Sequence, residues 1–253
     1  MEYKVMKKKF SKSVQTALKE DLVAIIVYGG AASKRIFSGV SDIDFFIILK
    51  SLDNLSKPLS ETYQVLSEVM MQYLEDPLFS SILDYDILVE DQLPTAESLR
   101  GFSSVRALAL SEGELLYGEN PFKDLKIDET ELKYGARVMV QDYLDKLTSL
   151  LFMPNFDVVP EDGEKVEDES LEAEREFLAV DAILSAGQAY QMVQKKEYVN
   201  MPDVVLFGET DPIDGIDNPL LQDAGLLRQG VDVNVDNFYN RAIDFCGSIL
   251  KLI

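Results

Sequence analysis

The most informative segments of this chain are Val-Tyr-Gly-Gly-Ala-Ala-Ser at residues 27–33 and Ser-Asp-Ile-Asp-Phe at residues 41–45. The first places a Gly-Gly turn after an apolar strand, and the second places two carboxylates on the next apolar strand. Because side chains i and i+2 of a strand point to the same face, we expect Asp42 and Asp44 side by side, roughly 7 Å apart at about 3.3 Å per residue. Two like charges held that close favour a cation between them.

The spacing of apolar residues around these segments predicts alternating helices and strands in the first half of the chain. Residues 22–28 form a short apolar run rich in Val and Ile, which is typical of a strand buried on both faces. The pattern predicts helices over 3–20, 31–36, 59–74 and 95–111, and strands over 22–28, 43–49, 82–89 and 115–117.

The second half of the chain has a helical pattern. Long apolar stripes predict helices over 129–151 and 170–196, and a final helix over 235–252. The stretch 154–169 is acidic and contains Pro160 and Gly163, so it is interpreted as a loop. Residues 197–218 look irregular apart from the apolar run 204–207. We therefore expect two domains, 1–120 and 121–253.

Composition excludes several kinds of chemistry. The formal net charge of −21 comes from 45 acidic and 24 basic residues, which opposes sequence-independent nucleic-acid binding. The chain has no histidine, so Ser-His-Asp catalysis, Cys-His catalysis and His-ligated metal sites are all excluded. The single cysteine, Cys246, is predicted to be a buried helical thiol without a chemical role. Carboxylates are left as the main acid, base and ligand groups.

The sequence also bears on localisation. It has no run of about 20 apolar residues, and its lysine-rich N-terminus lacks the apolar core of a signal peptide. We therefore expect a cytoplasmic protein without membrane contact.

The segments quoted first predict a nucleotide site. A Gly-Gly turn at Gly29 and Gly30 lets backbone N–H groups approach a triphosphate closely. Asp42 and Asp44 are suited to one or two Mg²⁺ ions, since this cation prefers carboxylate and phosphate oxygens. A third carboxylate, Asp86 or Asp84, would complete the metal site or act as a general base.

This arrangement resembles the nucleotidyltransferase superfamily to which DNA polymerase beta belongs. The family pattern is a hydrophobic residue, Gly, then Gly or Ser, followed by an Asp-x-Asp or Asp-x-Glu strand and a separate carboxylate. A second similarity is the segment 112–118, Glu-Gly-Glu-Leu-Leu-Tyr-Gly, which resembles the element that closes the catalytic domain in small bacterial and archaeal members. The helices that follow resemble the C-terminal bundle of aminoglycoside nucleotidyltransferases.

The resemblance implies an α+β fold, with a small mixed sheet and flanking helices followed by a helical bundle. It also implies Mg²⁺ and ATP, or another nucleoside triphosphate, as cofactor and substrate. By this resemblance Asp42, Asp44 and Asp86 are metal ligands. Asp86 is preferred to Asp84 because an apolar strand follows it, whereas counting back from the acidic pair at 90–91 favours Asp84.

The resemblance also assigns residues to the nucleotide. Gly29, Gly30 and Ser41 would face the triphosphate. Where many members carry Gly-Ser followed by Ala-Arg-Gly, this chain has Gly-Gly followed by Ser-Lys-Arg-Ile at 33–36. The candidate nucleotide-binding residues are therefore Gly29, Gly30, Ser33, Lys34, Arg35 and Ser41.

The implied reaction is Mg²⁺-dependent transfer of AMP from ATP to a hydroxyl group, with release of pyrophosphate. The first candidate acceptor is an aminoglycoside-like small molecule. The alternatives are a protein acceptor, as in antitoxin-type nucleotidyltransferases, and a non-catalytic nucleotide-binding regulator. A homodimer is compatible with the sequence.

Overall fold

The computed structural model describes residues 3–33, 42–75, 82–95, 98–99, 101–152 and 169–253. The chain divides into two compact units, Met1–Asp128 and Glu129–Ile253. Of the candidate site residues, Lys34, Arg35 and Ser41 lie outside the described residues, as does the predicted acidic loop up to residue 168.

The first unit is an α+β structure. Its elements are α1 (Tyr3–Leu18), β1 (Leu22–Tyr28), α2 (Gly30–Ser33), β2 (Ile43–Leu49), α3 (Leu59–Leu74), β3 (Leu83–Val89), α4 (Ser104–Ser111) and β4 (Glu114–Tyr117). Single 3₁₀ turns, Lys19–Asp21, Leu52–Asn54 and Glu90–Gln92, connect some of these elements.

The four strands form one mixed sheet in the order β3-β2-β1-β4. Strand β1 is antiparallel to both β2 and β4, whereas β2 and β3 are parallel. The end of β1, the start of β2 and the start of β3 therefore meet at the same end of the sheet. The two segments that contain Gly29 and Asp42 are both located at this end.

Each face of the sheet has its own apolar core. Alternation along β1 sends Ile25 and Val27 to one face, where α1 and α3 pack, and sends Ala24 and Ile26 to the other. The second face is covered by α4 and by the chain around Phe122. The central strands β1 and β2 are consequently buried on both sides, as their continuous apolar runs predict.

The predicted helix over 95–111 is wrong in its first half. The helix α4 begins only at Ser104, with the Ser103 hydroxyl accepting a hydrogen bond from the Arg106 amide at 3.4 Å. Before it, Thr95 and Ser98 form an isolated β-bridge, and Gly101 adopts a left-handed φ of 78°. Leu99 and Phe102, which the prediction placed in the helix, pack against the core on the second face of the sheet.

The second unit is helical. It contains α5 (Glu129–Phe152), α6 (Glu169–Lys195), α7 (Met201–Thr210), α8 (Asn218–Arg228) and α9 (Phe238–Leu252). The expectation of irregular structure over 197–218 is wrong, because α7 occupies much of this stretch. A proline in the first turn of α7 suits a helix start, where the missing N–H has no intrahelical partner.

Two further expectations can be compared with the second unit. Cys246 lies on α9 and is fully buried, so the predicted buried helical thiol is confirmed, and burial raises the pKa of this thiol to about 12. Across the described part of the chain, no helix combines the length and the apolar character that a membrane span requires. The predicted α+β class with a following helical bundle is also confirmed.

Candidate active site

The Gly-Gly turn directly follows β1 and is held by local hydrogen bonds. Gly29 has a left-handed φ of 71°, a conformation that glycine adopts without a steric penalty. The short helix α2 starts at Gly30, and the Ala32 amide donates to the Gly29 carbonyl at 3.2 Å. The sequence predicted this turn, and the structure places it at the end of the sheet where Asp42 also lies.

A lysine that the sequence analysis did not single out holds the turn from the side. Lys7 of α1 is only 5% exposed, and its Nζ donates to the Ala31 carbonyl at 3.0 Å. The same ammonium forms an ion pair with Glu114 at the start of β4. Because a buried charge needs a partner, this contact ties α1, β4 and the Gly-Gly turn together. The amphipathic pattern of α1 did not indicate that Lys7 has this role.

The four candidate carboxylates lie on one face of the sheet. Asp42 immediately precedes β2, and Asp44 is in β2 opposite Tyr28 of β1. On the parallel neighbour β3, Asp84 is the register partner of Asp44, and Asp86 is the register partner of Phe46. Asp44 is therefore flanked by Asp42 along its own strand and by Asp84 across the strand pair.

The surroundings of Asp44 disfavour its ionised form. Burial, then Asp84, then Asp42 raise the pKa of Asp44 to about 7, while Arg106 acts in the opposite direction. Burial and the neighbouring carboxylates disfavour the ionised form of Asp44, whereas the Arg106 cation favours it. The environment of Asp44 thus combines burial with an excess of negative charge.

Asp86 has different surroundings from Asp84. The Arg106 guanidinium forms an ion pair with Asp86 through Nη2 and Oδ2. The Tyr28 hydroxyl donates to the same carboxylate oxygen at 3.1 Å. Asp84 lies beside Asp44 in the sheet register. Asp86 lies two residues further along β3 and accepts hydrogen bonds from two donors.

Arg106 and Tyr28 were missed as site residues. Tyr28 ends the apolar run of β1, and its ring packs edge-on against Phe46 with centroids 6.4 Å apart. Its hydroxyl, however, reaches the carboxylate set. The available signal for Arg106 was a single cation in the apolar helix sequence Ser-Val-Arg-Ala-Leu-Ala-Leu-Ser of α4.

The structure describes only some of the predicted nucleotide-binding residues. Gly29 and Gly30 form the turn, and Ser33 ends α2, although its side chain is not described. Within the described ranges, no three carboxylate, thiol or imidazole groups lie close enough together to hold a metal ion by themselves. The carboxylates form a strand-end array rather than a closed cage.

The small mixed sheet and the helical second unit give this chain a fold that is also found among solved structures. In particular, the chain is similar to spectinomycin adenyltransferase AAD(9) from Enterococcus faecialis, whose structure was determined with ATP and spectinomycin. The match has a TM-score of 0.63 and covers 99% of this chain and 100% of that chain at 13% sequence identity. At this identity the likeness establishes the fold.

Other comparisons are weaker. A nucleotidyltransferase-like protein from Exiguobacterium sibiricum 255-15 aligns with a TM-score of 0.32 and 11% identity over 97% of this chain and 75% of that chain. Large ribosomal subunit protein bL25 from Wolinella succinogenes is 25% identical over 150 residues, or 54% of this chain and 84% of that protein. No protein-family model matches the chain.

Proposed function

We propose that this protein is an Mg²⁺-dependent nucleotidyltransferase that transfers AMP from ATP to a hydroxyl group of a small molecule and releases pyrophosphate. The observation that carries the proposal is the array of Asp42, Asp44 and Asp84 beside the Gly29 turn, in a fold shared with an adenyltransferase. ATP is an intracellular substrate, so the proposed reaction also places the protein in the cytoplasm.

The residues of the array fit a divalent cation. Burial and the two neighbouring carboxylates, Asp84 and Asp42, raise the pKa of Asp44, and a bound cation would offset the repulsion between these charges. Asp42 and Asp44 are the proposed ligands, with triphosphate oxygens completing the coordination, as is usual for Mg²⁺. When bound, Mg²⁺ would supply charge neutralisation for the triphosphate and its leaving pyrophosphate.

The remaining groups have proposed roles in binding and proton handling. The backbone amides of the Gly29–Gly30 turn would donate to phosphate oxygens, since the absence of side chains permits close approach. Asp86, or Asp84, would accept a hydrogen bond from the acceptor hydroxyl and take its proton. Lys34, Arg35 and Ser41 remain proposed phosphate contacts.

The acceptor proposed here is an aminocyclitol or aminoglycoside. The structurally similar adenyltransferase was solved with spectinomycin, and a chain with a net charge of −21 suits a cationic acceptor. A panel of such compounds, incubated with ATP, Mg²⁺ and the protein, should yield pyrophosphate and one product that is heavier by an adenylyl group (AMP minus water) in mass spectrometry.

The decisive variant is Asp42→Asn. It should reduce transfer by at least ~100-fold, the scale for losing one direct electrostatic contact to a transition state. The matched control is Asp53→Asn, which removes an exposed carboxylate beyond the other end of β2 and should leave the rate unchanged. Normal turnover in Asp42→Asn would contradict the mechanism, and ATP binding without turnover by the unaltered protein would instead support a nucleotide-binding regulator.

A further inference from the structure

Arg106 occupies an unusual position between the apolar core and the carboxylate array. It lies in the first turn of α4, and its side chain is 32% exposed. The left-handed turn at Gly101 precedes Phe102, which packs against Phe46 with ring centroids 6.1 Å apart. The loop before α4 and the helix itself therefore bring both an aromatic ring and a guanidinium to the same face of the sheet.

Three aromatic rings surround the Arg106 guanidinium. Its Cζ atom lies 5.1 Å from the ring centroid of Phe46 and 5.7 Å from those of Tyr28 and Phe102. At these distances each ring face attracts the cationic group electrostatically. The Nε atom is buried and has no hydrogen-bond partner in the described part of the chain, so the rings hold the inner side of the group.

The outer edge of the guanidinium bonds the carboxylate array. Arg106 Nη2 donates to Asp86 Oδ2 and lies 3.4 Å from the Tyr28 hydroxyl oxygen, which itself donates to Asp86 Oδ2. The three side chains come from α4, β1 and β3. Asp86 is thus held by two donors. The Arg106 guanidinium is fixed by the three aromatic rings, and the Tyr28 hydroxyl belongs to one of these rings.

We propose that Arg106 is a positioning residue that orients Asp86 toward the acceptor hydroxyl; this inference rests on the proposed function. Asp42, Asp44 and Asp84 lie close together at one end of the array, whereas Asp86 lies two residues further along β3 than Asp84. A carboxylate fixed through one oxygen can present its other oxygen in a defined direction. An acceptor hydroxyl within reach of that oxygen would be aligned for attack, and misplacement by about 1 Å can cost ~100-fold in rate.

Steady-state kinetics of three variants test this role. Arg106→Met should lower kcat by about 10–100-fold with KM for ATP changed by less than ~2-fold, because orientation and not nucleotide binding is lost. Arg106→Lys should restore only part of the rate, since lysine keeps the charge but lacks the planar fork. Tyr28→Phe keeps the ring, loses one donor and should have a smaller effect on kcat.

A matched control is available in the second unit. Arg241 pairs with Asp217 at 2.6 Å, and the two side chains are 33% and 40% exposed, compared with 32% and 42% for Arg106 and Asp86. Arg241→Met should therefore remove an ion pair of comparable exposure and leave kcat unchanged. Equal rates for Arg106→Met and Arg241→Met, per folded molecule, would overturn the inference. A raised KM for ATP with unchanged kcat would also overturn it.

A second readout is independent of turnover. In arginine-labelled full-length protein, the Arg106 guanidinium should show slowed proton exchange and restricted rotation in NMR spectra, and Asp86→Asn should remove both. Unchanged Arg106 signals in Asp86→Asn would contradict the proposal that Arg106 orients Asp86. An unaltered protein that releases no pyrophosphate with any acceptor would refute the proposed function, while the NMR comparison would still decide whether Arg106 holds Asp86.

Discussion

Asp44 is the residue at which the strands of the sheet concentrate negative charge. It is half-buried at the start of β2, with Asp42 on its own strand and Asp84 in the neighbouring register position. These conditions raise the pKa of its carboxyl to about 7. Near neutral pH, the ionised form is therefore held at a cost in folding free energy.

The raised pKa gives a prediction for the stability of Asp44→Asn. Because the folded-state pKa lies above the unfolded value of 3.8, the favourable contribution is complete below pH 4 and is lost as the pH rises through 7. Asp44→Asn should therefore increase the free energy of unfolding at pH 8, by about 4 kcal/mol at most, since each pH unit between the two pKa values is worth about 1.4 kcal/mol. Urea unfolding at pH 4 and pH 8 would measure the difference.

The control for this prediction is again Asp53→Asn, an exposed carboxylate without such neighbours in the sheet. Its unfolding free energy should change little at either pH. If Asp44→Asn destabilised the protein more at pH 8 than at pH 4, the charge crowding inferred around Asp44 would be contradicted.

At the residue scale, the sequence could predict what depends on strand alternation alone. Asp42 and Asp44 share a face because their separation is two, and no tertiary information is needed for that. Lys7 and Arg106 could not be predicted, because their roles depend on which elements pack together. Each cation reaches across more than 15 residues of sequence to its acidic partner, Glu114 or Asp86.

At the element scale, β4 explains the glycines of the segment 112–118. A Cβ atom on Gly113 would lie 2.5 Å from Ile26 Cγ2, and one on Gly118 would lie 1.9 Å from the Val23 carbonyl oxygen. Gly118 also has a left-handed φ of 76°. These glycines let β4 approach β1 closely, which gives the Glu-Gly-x-x-Leu-Tyr-Gly element a packing function at the edge of the sheet.

This close approach predicts opposite effects for two glycine-to-alanine changes. Gly118→Ala should destabilise the protein by about 3 kcal/mol or more, because it combines a backbone clash with a strained φ. Gly247→Ala, in α9, meets nothing within 4 Å and should stabilise the protein by about 0.5–1 kcal/mol through helix propensity. Thermal and urea unfolding of both variants would measure the two values, and similar values would contradict the assigned packing of β4.

The elements themselves were predictable to different degrees. The strands β1 and β2 have long apolar runs, and the structure reproduces their predicted bounds. The start of α4 was wrong because helical spacing continued through a loop whose apolar residues, including Phe102, pack on the sheet. Helix α7 is short and lies among acidic residues, so its tertiary contacts with α6 and α8 outweigh a weak local pattern.

At the scale of the whole molecule, the negative charge is unevenly distributed. Residues 129–253 contain 25 acidic and 10 basic side chains, whereas residues 1–128 contain 20 acidic and 14 basic side chains. The two-part organisation of the chain followed from the change in apolar periodicity, because a sheet and a helical bundle need different patterns. The charge asymmetry adds self-repulsion to the helical unit.

This self-repulsion predicts that salt stabilises the protein. The screening length falls from about 30 Å at 0.01 M to about 10 Å at 0.1 M ionic strength, so repulsion between separated surface carboxylates weakens over this range. The midpoint of thermal unfolding should rise by several degrees between 10 mM and 200 mM NaCl. Asp232→Asn, which removes an exposed charge between α8 and α9, should raise the midpoint at 10 mM NaCl and have less effect at 200 mM. A midpoint that stays constant or falls with salt would show that local ion pairs, such as Arg228 with Asp181 at 2.6 Å, outweigh the net repulsion.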